Sequence, residues 1–129
     1  MSIALPPYAL SLGLSVDRLE DGAPVLLMPF APPVVGRPGF VHGGALGGLL
    51  EMAAFSALRA RFSGDDHPRL KPINVSVEYM RGARERETRA VGIVTRLGNR
   101  IANLEAIAWQ DDRARPVATA WMNVLIDRD

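Results

Sequence analysis

The 129-residue sequence contains no cysteine. That excludes disulfides, thiol nucleophiles and thiolate metal sites, and it agrees with a reducing compartment. No apolar run approaches the roughly 20 residues that a membrane-spanning helix needs. The first residues lack a basic stretch followed by an apolar one, so no secretory signal is expected, and the expected location is cytoplasmic. There are two histidines, His42 and His67, and neither has a helical-turn partner, so no metal site is expected. Lysine is nearly missing: Lys71 is the only one, and every other basic residue is arginine. The formal net charge is +1, which gives no bulk attraction for nucleic acid. A phosphate-cradling P-loop and a Gly-x-Ser-x-Gly elbow are both missing. So are internal repeats and low-complexity linkers. The length suits a single domain, 1–129, with a real core.

What the sequence does have is one stretch around which the rest can be arranged, Phe40-Val41-His42-Gly43-Gly44 followed by a run to Leu58. From Ala45 to Leu58 the pattern predicts a helix that is apolar on every side, which implies burial. Glu51 is its only charge. A carboxylate in such a place is costly unless it is paired, hydrogen-bonded or protonated. The glycines matter as well, because each one inside a helix costs about 1 kcal/mol relative to alanine. Either something approaches the backbone closely or the chain turns specially into the helix. Both options leave backbone N–H groups free at the helix start, where an anion or a developing oxyanion is stabilised. The spacing places Gly44, Gly48 and Glu51 on one helical face.

The remaining pattern is α+β. Pro6-Pro7 and Gly13 bracket a short helix. Leu14 to Glu20 and Val25 to Phe30 form a hairpin turned at Asp21-Gly22. The proline- and glycine-rich segment from Ala31 to Gly39 is a stiff loop aiming the chain into His42, and the central helix runs on to about Phe62. Ile73 to Met80 is a strand with Ile73, Val75, Val77 and Tyr79 on one face and Asn74, Ser76, Glu78 and Met80 on the other. Glu87 to Leu97 and Arg100 to Trp109 form a second hairpin with Gly98-Asn99 as its two-residue loop. Val117 to Ile126 is the last strand. One apolar helix wrapped by a curved antiparallel sheet buries these elements.

His42-Gly43-Gly44 with an acidic residue nine positions after the histidine resembles the signature of PaaI-like hotdog-fold acyl-CoA thioesterases. Ile73-Asn74-Val75-Ser76-Val77-Glu78-Tyr79-Met80-Arg81 and Arg96-Leu97-Gly98-Asn99-Arg100-Ile101-Ala102 resemble later strands of that family. The likeness runs from about residue 10 to 126. It implies a hotdog fold and hydrolysis of acyl-CoA to free acid and CoA without a cofactor or metal. It also implies a homodimer, or a dimer of dimers, with no nucleic-acid or membrane partner. The backbone N–H of Gly43 would polarise the thioester carbonyl. Glu51 would act as general base or nucleophile on substrate held at a dimer interface. His42 would shape the turn or contact the substrate.

The substrate-binding candidates are Gly44, Asn74, Ser76, Arg81, Arg96 and Arg100, the arginines as grips for CoA phosphates. The sequence departs from the family pattern where Gly36 replaces Asn or Gln, where Phe55 replaces Thr, and at Pro72-Ile73 in place of Ser or Thr. Two other readings are a hotdog hydratase or dehydratase and a non-catalytic acyl-CoA or lipid-binding module. The acyl group is not specified by the sequence.

Overall fold

The computed structural model describes residues 4–128. The elements are α1 (Pro7–Ser11), β1 (Ser15–Glu20), β2 (Ala23–Met28), a 3-10 turn (Pro32–Val34), α2 (Gly43–Arg59), β3 (Arg69–Tyr79), β4 (Thr88–Leu97), β5 (Ile101–Trp109) and β6 (Ala118–Asp127). The strands form one antiparallel sheet in the order β1-β2-β4-β5-β6-β3, wrapped around α2. This is the expected α+β hotdog arrangement. Among the described residues no helix is long and apolar enough to cross a membrane.

Alternation places the core. Leu104, Ala106 and Ala108 of β5 and Ala118, Ala120, Met122 and Val124 of β6 are buried on the concave face. Most are small, so the helix can lie close to the sheet. The closest approach is at Gly92 of β4, where an added Cβ would fall 2.4 Å from the Ala53 carbonyl oxygen and 2.7 Å from Ala54 Cα. Leu49, Leu50 and Leu58 of α2 are fully buried in the same core, each contributing about 1.5–3 kcal/mol. A second, smaller cluster of Val25, Val91 and Trp109 lies apart from this one.

Four sequence expectations need correction. First, α2 begins at Gly43 and ends at Arg59, with Ala60 to Phe62 in a closing turn. Gly43 and Gly44 are already helical, and no glycine from 43 to 48 has a positive φ, so there is no special turn. Second, α2 is not buried all round, since Gly44 is exposed and Gly47, Glu51 and Phe55 are half-buried. These four residues, three or four apart, form one stripe. Third, Gly98 pairs with Ile101 through its N–H (3.0 Å to the Ile101 carbonyl), so the tip of the β4–β5 hairpin is Asn99-Arg100 and not Gly98-Asn99. A Cβ at Gly98 would lie 2.9 Å from that carbonyl, which explains the glycine. Fourth, β3 starts at Arg69 and takes Pro72 within it, followed by a bulge at Ile73. Proline is tolerated there because β3 is an edge strand with no ladder partner on one side. The Asp21-Gly22 turn is as expected, with φ of 51° and 83°, the paired positive values of a type I′ hairpin.

Candidate active site at the head of the central helix

The loop before α2 is tied at three points. The His42 N–H donates to the Val34 carbonyl (2.8 Å), the Val41 N–H to the Ala83 carbonyl (2.9 Å), and the Gly36 N–H to the Phe40 carbonyl (3.0 Å). Gly36 lies directly on His42, where an added Cβ would be 3.0 Å from the His42 Cα. The residue that departs from the family pattern is thus the one that lets the loop fold back on the helix start.

His42 is the N-cap, with extended backbone (φ −64°, ψ 136°), and its Nδ1 accepts the Gly44 N–H at 2.9 Å. An accepting Nδ1 requires the neutral tautomer with its proton on Nε2. The turn-shaping role expected of His42 is therefore filled by a specific bond. The Gly44 amide is consumed by it, which leaves Gly43. Among the described residues the Gly43 N–H has no acceptor. It is an unengaged donor at the positive end of a 17-residue helix.

Tyr79, from the C-terminal end of β3, reaches across to this point. Its hydroxyl donates to the Gly43 carbonyl at 2.8 Å and lies near Gly47, and its ring lies against Gly43. Sequence reasoning gave Tyr79 only a place on a strand face. The contact spans 36 residues, so no local pattern signals it. Beside it lies an open cleft of about 510 Å³ bordered by Arg37, Phe40, His42, Gly43, Tyr79 and Arg81.

Glu51 sits two turns further along the helix on the half-buried stripe. Among the described residues it has no hydrogen-bond or ion-pair partner. Gly48 departs from the stripe, because it lies under α1, where a Cβ would fall 2.6 Å from the Tyr8 hydroxyl. Eight residues separate Gly43 from Glu51, about 12 Å along the axis at 1.5 Å per residue.

The structure brings some of the other candidates here and not others. Gly44 and Arg81 border the helix head, with Arg81 Nε fixed to the Pro116 carbonyl at 3.0 Å. Asn74 and Ser76 lie on the convex face. Their cross-strand partners are Asn123 and Trp121, whereas the intervening Val75 and Val77 pair with buried Met122 and Ala120. Asn74 instead accepts from Asn123 Nδ2 (2.9 Å) in a ladder that continues to Asn103. Arg96 and Arg100 belong to the tip half of the β4–β5 hairpin: Arg96 pairs with Asn103, in line with Asn123 and Asn74, and the Arg100 carbonyl accepts the Ile126 N–H, so neither is in register with Tyr79. Tyr79 is five strand positions from Asn74, roughly 17 Å, and nine from Leu70, which pairs with Ile126, roughly 30 Å. His67 is exposed. Trp109 is buried in the smaller cluster, and Trp121 lies outside on the convex face, donating to Glu105 Oε1 at 2.9 Å. Among the described residues no group of three or more His, Asp or Glu could hold a metal ion.

The sequence profile described as the thioesterase superfamily matches residues 38–117, from the loop before His42 to the start of the last strand. The chain belongs to the thioesterase superfamily. Among solved structures, a Chromobacterium violaceum protein is 33% identical over 95% of this chain and 84% of its own, with a TM-score of 0.75. A Haemophilus influenzae thioesterase shares the fold at 14% identity (TM-score 0.81; 92% and 80% of the two chains). A Bacillus halodurans protein solved with CoA does so at 21% (TM-score 0.81; 94% and 78%). No protein of curated function matches. Membership of this superfamily supports thioester hydrolysis as the general activity.

Proposed function

We propose that this thioesterase-superfamily protein hydrolyses acyl-CoA to free acid and CoA at a site shared between two copies of the chain. The observation that carries the reading is the unengaged Gly43 N–H at the head of α2, facing an open cleft. A thioester carbonyl builds negative charge as it is attacked, and a fixed donor at a helix N-terminus stabilises that charge. Attack also needs a base to take the proton of water, or a nucleophile, and Glu51 supplies the carboxylate. The thiolate of CoA then leaves and is protonated. No cofactor or metal enters this scheme. The His42 Nδ1 is occupied by the helix cap, so of its two nitrogens only Nε2 is open to the cleft.

The distance along the helix makes the site a shared one. A carbonyl held about 3 Å from Gly43 stands well beyond reach of the Glu51 of the same helix. The exposed edge and both exposed faces of β3, with Ile73 at 54% exposure, support pairing with a second copy. Antiparallel pairing would reverse the partner strand and carry the partner's Arg96 and Arg100 end toward this chain's Gly43. A homodimer is the minimum assembly, and a dimer of dimers extends it. A protein of the same fold solved with CoA supports CoA as the carrier.

The test is complementation. Glu51→Gln should lower kcat about 10²-fold or more, the scale for losing a general base. Gly43→Pro removes only the N–H donor and should also be inactive. Mixed dimers of the two variants place an intact Gly43 opposite an intact Glu51 in one of their two sites. Random reassortment should therefore restore about a quarter of wild-type turnover. Mixtures as inactive as the separate variants would exclude a shared site, and a fully active Glu51→Gln enzyme would exclude the mechanism.

A further inference from the structure

Glu51 carries the carboxylate of the proposed reaction, and the helix surface beside it is bare. A long side chain on a helix points back toward the N-terminus, over the residues three and four before it. For Glu51 these are Gly48 and Gly47, which offer no side chain to lie against. A base works well only when it is held in place. Whatever holds Glu51 must therefore come from another element and stand over one of the two glycines.

Two hydroxyls do so. On one flank is Tyr79 of β3, whose oxygen would lie 3.6 Å from a Cβ at Gly47. It has already given its hydrogen to the Gly43 carbonyl. On the other flank is Tyr8 of α1, whose oxygen would lie 2.6 Å from a Cβ at Gly48, with its Cε2 at 2.9 Å. A side chain at position 48 would push this ring away, so the glycine lets the hydroxyl come down onto the helix. Among the described residues the Tyr8 hydroxyl has no hydrogen-bond partner. Its segment is nonetheless fixed. Ala9 is fully buried, Ser11 Oγ donates to the Tyr8 carbonyl at 2.6 Å, and the Leu14 N–H donates to the Ala9 carbonyl at 3.0 Å. Cβ positions three residues apart on a helix are about 5–6 Å apart. A glutamate side chain turned back from position 51 is long enough to bring its carboxylate to that hydroxyl. Other charges are remote from this point. α1 carries none, β3 turns Val75, Val77 and Tyr79 to the helix side, and the remaining strands pack apolar residues on α2. The next charge along α2 is Arg59, which is engaged with the Pro68 carbonyl.

We infer that Tyr8 is a positioning residue: its hydroxyl donates to one oxygen of the Glu51 carboxylate and leaves the other aimed into the shared site. The inference rests on the proposed acyl-CoA hydrolysis and adds the group that holds its base.

The experiment uses Tyr8→Phe, which keeps the ring on Gly48 and removes only the hydroxyl. Steady-state kinetics on an acyl-CoA are measured across pH, and the titration of Glu51 is followed by carbon NMR in the free protein. A bond donated to the ionised carboxylate favours that form, so its removal raises the pKa. The Glu51 titration and the acid limb of kcat should both move up by about one unit, equivalent to the tenfold weight of one bond to a charged group. At neutral pH kcat should fall about tenfold, on the same scale, with little change in KM. In the Glu51→Gln background Tyr8→Phe should cost less than about twofold more, because the group it serves is gone. An unchanged Glu51 titration, an unchanged kcat, or an equal loss in the Glu51→Gln background overturns the inference. A wild-type protein that hydrolyses no thioester would remove the proposed function, while the NMR titration would still decide whether Tyr8 and Glu51 meet.

Discussion

The hydroxyl of Tyr79 donates a hydrogen bond to the carbonyl of Gly43, tying the edge strand β3 to the first residue of α2. The ring is 56% exposed, so the bond is a neutral one near water and worth about 0.5–1.5 kcal/mol. Tyr79→Phe should keep the ring over Gly43 and lose only this bond. The expected result is a several-fold fall in kcat with little change in KM, measured by steady-state kinetics. A change in KM alone would mean that Tyr79 serves binding and does not hold the donor.

Gly43 offers a clean test of its amide. Proline is well accommodated at the first position of a helix, and His42 already has the extended conformation that a residue before proline requires. Gly43→Pro should therefore fold normally and lose about 10²–10³ in kcat, the scale for one oxyanion donor. Gly43→Ala keeps the N–H, and its Cβ would meet the Tyr79 ring at an ordinary 3.4 Å. It should stay within a few-fold of wild type. Circular dichroism beside the kinetics separates misfolding from loss of the donor.

Gly92 should be the least replaceable glycine for stability. A methyl group there must displace the Ala53 backbone from β4. Overpacking of this kind costs about 1–3 kcal/mol or more. Denaturant unfolding of Gly92→Ala should show a lower midpoint with an unchanged slope, and an unchanged midpoint would contradict the close approach.

Asp17 gives a pH signature. The Arg89 guanidinium hydrogen-bonded to it holds its carboxyl below the ordinary value, with slight burial opposing and Arg18 assisting. Because the folded-state value is depressed, the stabilisation is fully present above the ordinary carboxylate range. It is lost as pH falls through the depressed value. Asp17→Asn should lower Tm slightly near neutral pH, and the gap to wild type should close in strong acid. A gap of constant size at all pH values would mean the contact acts through packing.

The sequence made much of this molecule legible because its signals are local. The Asp21-Gly22 turn, the alternation of β5 and β6 and the apolar run of α2 each sit within a few residues, and so do His42, Gly43 and Glu51. The start of α2 was set two residues too late because glycine propensity argues against helix, whereas the His42 cap and the Tyr79 clamp decide the matter. Asn74 and Ser76 were placed correctly on a strand face, yet that face looks away from the helix. The role of Tyr79 was illegible because it depends on segments brought together only by the folded sheet.

One consequence follows from the cap at His42. Since Nδ1 is spent on Gly44, the nitrogen left facing outward is Nε2, which carries hydrogen. The mouth of the cleft therefore presents Gly43 N–H, an imidazole N–H and guanidinium groups. Beside these donors the Tyr79 hydroxyl has already given its hydrogen to the Gly43 carbonyl. A surface of that polarity reads oxygen lone pairs, as in carbonyls, carboxylates and phosphate esters. The geometry that starts the helix thus also favours ligands that accept hydrogen bonds.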